Sequence, residues 1–293
     1  MCGAPSLRYS LGSTWVLRCQ ALALYLAACG EPTASTLPRY KVTFDDGFTV
    51  FQADPDSTST LLIVGDTLTR SDASWSPNGR WVVYTREFNA ISGPVYYRLF
   101  IFDTVNRMER QLTFGPEDSG EPAWSPDGTS IAYLSRPMNS AGGAALHVIR
   151  ADGTNDRQVG LSLFYVRSPA WSPDGRQLAA TREDLVVVLV DPQMGAVVRE
   201  VAPGMSPTWS PDGKHLAYVS GDSGPLTIAD PDGQHPRTLV AVGYEPAWSP
   251  DGQHVAFERP DMSALGSAIF SINPDSGSEH KVAPGMRPAW RLP

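Results

Sequence analysis

The chain is poor in the residues that mark several function classes. Cysteine occurs three times in 293 residues, at Cys2, Cys19 and Cys29, too few for a disulfide-stapled scaffold or a paired-cysteine metal site. Basic side chains number 23 against 31 acidic ones, a net charge of −8. That deficit argues against a surface that binds nucleic acid by counterion release. Long apolar runs are missing as well: a transmembrane helix needs ~20 apolar residues, and the longest stretches, Ala21 to Ala28 and Leu185 to Val190, fall well short. The abundant residues are of another kind. With 42% apolar residues the chain has material for a core, and its 26 glycines and 26 prolines are spread along the whole length, which suits many short strands joined by turns.

Arg8 and Arg18 are the only charges in the first 28 residues, and an apolar stretch follows that ends Leu26-Ala27-Ala28-Cys29-Gly30. A basic segment, an apolar segment and small residues at a cleavage point describe a secretory signal. The Leu-Ala-Ala-Cys at 26 to 29 resembles the lipobox of bacterial lipoprotein precursors. That resemblance implies cleavage before Cys29 and a diacylglyceryl group on its sulfur; the alternative is an uncleaved N-terminal tail. Processing would leave Cys29 as the sole cysteine, and its acylation would account for an odd cysteine in an exported chain. The expected organisation is a signal peptide over 1–28, a linker over 29–39 and a folded domain over 40–293. Processing also removes two arginines and no acids, so the net charge becomes −10, and membrane attachment would rest on the lipid. Gly30 is not the aspartate that retains some lipoproteins at the inner membrane. The expected address is therefore the periplasmic face of the outer membrane, or the outer surface of a single-membrane cell.

Within 40–293 one motif recurs: Trp75-Ser-Pro-Asn-Gly, then Trp-Ser-Pro-Asp-Gly at Trp124, Trp171, Trp209 and Trp248, and a truncated Pro288-Ala289-Trp290. The spacings are 49, 47, 38, 39 and 42 residues, the length of one four-stranded unit. Proline at the second position and glycine at the fourth suit a type I turn. Each turn is followed by an alternating apolar segment: Trp81 to Thr85, Ile131 to Ser135, Leu178 to Thr181, Leu216 to Ser220 and Val255 to Glu258. A third strand then ends at a polar corner (Asp103, Asp152, Asp191, Asp230 and Asn273), and a more polar fourth strand follows. Such units, repeated radially, predict an all-β, six-bladed β-propeller of four-stranded antiparallel blades. The segments at Tyr40 to Phe44, Phe48 to Ala53 and Leu61 to Val64, with a corner at Asp54 to Ser57, supply the strands that the last repeat lacks. The ring is expected to close by pairing the C-terminal first strand with them. These residues resemble the TolB-type β-propeller repeat over nearly all of 40–293, although no separate α/β segment precedes the repeats as it does in TolB.

The six tryptophans, Trp75, Trp124, Trp171, Trp209, Trp248 and Trp290, are expected to wedge between blades. The turn aspartates Asp127, Asp174, Asp212 and Asp251 read as turn chemistry, with calcium ligation as the alternative. Departures from the repeat are better candidates for function. Three residues before the tryptophans stand Asp72, Glu121, Ser168, Ser206, Glu245 and Arg287, which should ring one mouth of the central channel. Arg86, Arg136, Arg182 and Arg259 occupy near-equivalent places in the loops between second and third strands, on the same face. The alternative is a rim of solvated charges and local ion pairs.

Catalytic signatures are weak. Gly221-Asp222-Ser223-Gly224-Pro225 is similar to the nucleophile segment of chymotrypsin-like proteases, but no histidine or aspartate partner motif accompanies it. The histidines lack metal-ligand spacing, and His215 and His254 fall at what reads as a surface position after the turn. The expectation is a membrane-tethered, non-enzymatic propeller that binds a protein or peptide of the cell envelope, without cofactor and without nucleic acid. The rival is an enzyme or small-ligand sensor that uses the carboxylate-rich mouth on a carbohydrate or peptide, with or without a divalent cation. A propeller serving a separate hydrolase, as in prolyl oligopeptidase relatives, is a third reading.

Overall fold

The computed structural model describes residues 41–46, 49–53, 60–63, 69–89, 95–137, 143–160, 167–261 and 266–291. The expected signal peptide, Cys29 and the corner at 54–57 lie outside them. Among the described residues every regular element is a strand. In chain order these are β1 (Lys41–Asp45), β2 (Val50–Ala53), β3 (Thr60–Ile63), β4 (Arg70–Trp75), β5 (Trp81–Asn89), β6 (Val95–Asp103), β7 (Met108–Gln111), β8 (Asp118–Trp124), β9 (Ser130–Arg136), β10 (Ala145–Arg150), β11 (Arg157–Gln158) and β12 (Arg167–Trp171). The second half adds β13 (Leu178–Thr181), β14 (Val186–Val190), β15 (Val197–Trp209), β16 (Leu216–Ser220), β17 (Leu226–Ala229), β18 (Arg237–Val240), β19 (Tyr244–Trp248), β20 (Val255–Asp261), β21 (Gly266–Ile272), β22 (Glu279–Pro284) and β23 (Met286–Arg291).

The sheets follow the repeat. Strands β4 to β7, β8 to β11 and β19 to β22 each form an antiparallel meander, and β12 to β18 form one seven-stranded sheet. That sheet is continuous because β15 changes neighbours partway: its residues up to Pro203 pair with β14, and those from Gly204 pair with β16. The remaining sheet has the order β23-β1-β2-β3, with Val42 opposite Trp290 and Thr43 opposite Ala289. The first and last described strands are therefore hydrogen-bonded neighbours.

The turn motif is built as its residues dictate. The Gly79 amide donates to the Ser76 carbonyl at 2.9 Å, and Gly128, Gly175, Gly213 and Gly252 repeat the bond. The turn serine has a second task that the residue pattern alone does not display. Ser125 Oγ donates to Asp127 and accepts the Ser130 amide at 2.9 Å, fastening the start of the second strand, and the same pair of bonds recurs at Ser172, Ser210 and Ser249. All of these serines are buried, so losing the hydroxyl would orphan a backbone amide. At the far corners Asp103, Asp191 and Asn273 each accept two backbone amides, side-chain turns that reverse the chain cheaply.

The core lies between neighbouring sheets. Leu134, Leu146 and Val148 of one sheet pack against Leu178, Val188 and Val190 of the next, and Val42, Phe44 and Trp290 meet Ala256 and Ile269 across another such seam. Face-to-face packing of alternating apolar strands is what buries this surface.

Candidate functional site

Each inner strand carries a register shift at the same place. The pairing slips between Ser71 and Ser74, Gly120 and Ala123, Arg167 and Ala170, Met205 and Thr208, and Tyr244 and Ala247; opposite β23 it slips between Thr43 and Asp45. Inside those bulges sit Asp72, Glu121, Ser168, Ser206, Glu245 and Arg287, with φ of 55°, 51°, 48°, 53°, 46° and 50°. Five of them precede a proline, which further narrows the backbone choices of a residue. Bulges re-aim side chains, and here all six line a single cavity of about 560 Å³ together with the prolines and alanines that follow them. The sequence position of these residues was legible; the left-handed backbone that turns them was not.

The cavity has two electrostatic halves. Arg287 contacts Asp45 at 2.8 Å and Asp72 at 3.1 Å, and these anions, with Glu245 and Glu258, raise its pKa against the lowering effect of its own burial. On the other side Glu245 accepts from the Ser206 hydroxyl at 3.2 Å and the Ser168 hydroxyl at 3.4 Å, while Glu121 accepts the Ser168 amide at 2.5 Å. Burial, then the charge of Asp72, pushes the Glu245 carboxyl above the ordinary glutamate range, with the Ser206 hydroxyl opposing. The cavity therefore offers one guanidinium already engaged, two hydroxyls and an acid whose proton is held unusually tightly. Among the described residues no three histidine, cysteine or carboxylate side chains converge as metal ligands.

No protein-family model matches the chain. Among solved structures, TolB from Acinetobacter baumannii superposes with a TM-score of 0.71 at 18% identity, covering 93% of this chain and 71% of that one. A putative TolB from Agrobacterium tumefaciens gives 0.65 at 17% identity over 86% of this chain and 92% of that one. The fold is that of a TolB-type β-propeller. A puromycin-hydrolyzing peptidase of Mycobacterium tuberculosis is similar too, with a TM-score of 0.59 at 19% identity over 86% of this chain and 44% of its own. In sequence, dipeptidyl-peptidase 5 of Porphyromonas endodontalis is 31% identical over 124 residues, which is 42% of this chain and 18% of that enzyme. The matched stretch thus spans under a fifth of that curated relative.

In this TolB-type propeller the arginines expected in mouth loops are placed differently. Arg86, Arg136 and Arg259 belong to strands, because the second and third strands go on pairing beyond the inner-strand bulge, as in Arg86 with Arg98 and Arg259 with Ala268. Only Arg182 stands in a turn. Arg86 bonds Glu109 and lies over the Phe100 ring, Arg182 bonds Asp184 and Glu200 at 2.7 and 2.5 Å, and Arg259 bonds Glu279 at 2.6 Å over the Phe270 ring. These partners belong to fourth strands or to the turn itself, so the three charges are balanced within their own repeats. Arg136 is exposed at the end of β9.

The tryptophans pack as expected, with a graded burial. Trp75, Trp209 and Trp290 are buried, while Trp124, Trp171 and Trp248 are half-buried. Three indoles reach the preceding repeat: Trp75 donates to Thr43 Oγ1 at 2.6 Å, Trp171 to the Ala123 carbonyl at 3.2 Å and Trp290 to the Ala247 carbonyl at 2.9 Å. His254 is not at the surface; it is buried against His280, with ring centroids 6.5 Å apart, because the polar fourth strand folds over it. Ser223 is exposed in the hairpin turn between β16 and β17, bonded to Asp222 at 3.2 Å.

Proposed function

We propose that this chain is a non-enzymatic binding module of the bacterial cell envelope: a six-bladed propeller over 40–293, closed through the pairing of β23 with β1. It is exported, carried on a lipid at Cys29 after a linker over 29–39, and takes a protein or peptide at the mouth ringed by Asp72, Glu121, Ser168, Ser206, Glu245 and Arg287. One observation carries the reading: six non-glycine residues hold φ near +50° and turn unlike polar side chains into one cavity. A left-handed non-glycine residue costs ~1–3 kcal/mol, and glycine would have served the bulge alone. Pull-down from envelope extract with the soluble chain (30–293) tests it. Charge reversal at Glu121 and Glu245, with unchanged unfolding midpoints, should release the partners; retention of every partner would overturn the mouth as the site. Labelling with a radioactive fatty acid should mark the parent and leave Cys29→Ala unmarked.

A second reading, an enzyme or small-ligand sensor at the same mouth, draws support from the raised pKa of Glu245, since perturbed acids gather at chemical sites. The peptidase likeness adds a hydrolase acting in trans. Metal analysis with a thermal-shift screen separates these from the first reading: a stoichiometric cation or a strong small-molecule shift favours chemistry.

A further inference from the structure

The opposite end of the inner strands carries a second cavity, about 380 Å³, between the repeat of β4 to β7 and that of β8 to β11. Its lining includes Trp81, Trp124 and Ile101 as apolar wall and Asn78, Arg110 and Asp152 as polar rim. Two of these break the repeat. Where Trp81 stands, the other turns are followed by Ser130, Gln177, His215 and His254; where Asn78 stands, they have aspartate. Turn chemistry needs neither change, because Asn78 makes the same serine and amide bonds as Asp127. A half-buried tryptophan at the first position of a strand gains nothing for the core that a smaller residue does not supply in four sister repeats.

The ring is also held in place. Arg80 lies 4.9 Å over the Trp81 ring and is pinned to Asp103 by two bonds of 3.2 and 2.7 Å. Trp81 lines the cavity and Arg80 does not. At the rim each polar side chain is oriented through one group and keeps another group spare. Asn78 Oδ1 accepts from Ser76 and Arg80, leaving the amide NH₂ to donate. Asp152 Oδ1 accepts the Thr154 amide and hydroxyl at 2.8 and 2.7 Å, leaving Oδ2 to accept. Arg110 is tied to the Ala151 carbonyl by one nitrogen, and its other N–H groups remain.

We infer that this cleft binds one pyranose unit of a carbohydrate. The C–H face of the sugar packs on the Trp81 indole, and its hydroxyls donate to Asp152 and accept from Asn78 and Arg110. Hydroxyls both donate and accept, which matches a rim that mixes carboxylate, amide and guanidinium around aromatic walls. A phosphorylated ligand meets the carboxylate of Asp152 instead, and an apolar side chain leaves the rim groups desolvated and unpaired. The site lies at the far end of the strands from the mouth and stands whether or not the mouth binds a protein.

The test is calorimetry and saturation-transfer NMR of the full chain with methyl glycosides of glucose, galactose and N-acetylglucosamine, beside adenosine and phenylalanine amide. The expected result is saturable binding of at least one glycoside, weakened at least tenfold (about 1.4 kcal/mol) in Trp81→Gln. That variant restores the residue of a sister repeat and should keep the parent's unfolding midpoint. Asn78→Asp restores the common turn residue, folds on the same grounds, and should weaken the glycoside severalfold. Binding of adenosine or phenylalanine amide with no glycoside bound overturns the assignment, as does glycoside binding that both variants leave unchanged.

Discussion

Trp209 and Trp290 form a matched pair for measuring what the indole does in this fold. Both lie at the C-terminal end of inner strands, both are 8% exposed, and both sit among apolar neighbours from two repeats. They differ at one atom. Trp290 Nε1 donates to the Ala247 carbonyl at 2.9 Å, whereas Trp209 Nε1 is buried without a partner among the described residues. Replacing either by alanine removes an aromatic worth 150–250 Å² of burial, roughly 4–6 kcal/mol of apolar transfer, and the expected loss is about 3–5 kcal/mol. Phenylalanine keeps most of that area and deletes only the N–H. At Trp290 the change forfeits a hydrogen bond, about 1 kcal/mol. At Trp209 it removes an unsatisfied donor and should cost less than 1 kcal/mol or stabilise. Urea unfolding followed by circular dichroism, with m-values compared so that the midpoint shift reads as stability, gives the difference directly. Equal losses for Trp290→Phe and Trp209→Phe would refute the interblade hydrogen bond as a source of stability.

Burial lowers the pKa of His254 and of His280, the latter helped by the charge of His254; a depressed imidazole resists protonation only when folded. Stability is therefore full above the unfolded value of about 6.5 and falls as pH drops below it, and pH-dependent melts of His254→Gln should flatten that decline. Exposed His235, raised by its bond to half-buried Asp230, acts in the opposite direction, so His235→Gln should leave the acid-side decline intact. Glu121→Gly relieves a left-handed residue at φ 51°; the unfolding midpoint should hold or rise while partner capture falls. Ser172→Ala deletes the hydroxyl that serves Asp174 and the Gln177 amide and should cost about 1–3 kcal/mol in chemical denaturation.

Much of the fold was readable because its punctuation is local. The Ser-Pro-Asp-Gly turns and Asx corners fix where each strand begins, and the segments at Leu178 to Thr181 and Leu216 to Ser220 coincide with β13 and β16. The pairing of β1 with β23 followed from counting strands rather than from any pattern within either. Elsewhere nonlocal contacts decided the outcome. Extra cross-strand pairs carry β5 on to Asn89, which turned an expected loop arginine into a strand residue. His254 shares its repeat position with half-buried His215, and only the packing of His280 distinguishes them. The φ of Glu245 has no local signal at all, since Glu-Pro in a strand reads as extended backbone.

The six mouth residues share a backbone but not a task. Arg287 belongs to β23 and bonds Asp45, a residue of β1 that is 1% exposed on its side chain, so this pair spans the seam between the first and last described strands. Removing the guanidinium would take from Asp45 a counter-charge 2.8 Å away. Breaking a fully buried pair costs ~3–5 kcal/mol, and with 38% of the Arg287 side chain exposed solvent screening reduces that to about 2–3 kcal/mol. Asp72 is drawn to the same guanidinium. These charges therefore serve the seam first. In the arc formed by Glu121, Ser168, Ser206 and Glu245 bonds run between members across the cavity. A ligand that offers a donor to Glu245 replaces the weak bonds of 3.2 and 3.4 Å from Ser206 and Ser168 without touching the β1–β23 pairing. Loss of binding with retained stability should follow changes in that arc, and loss of stability should follow changes at Arg287.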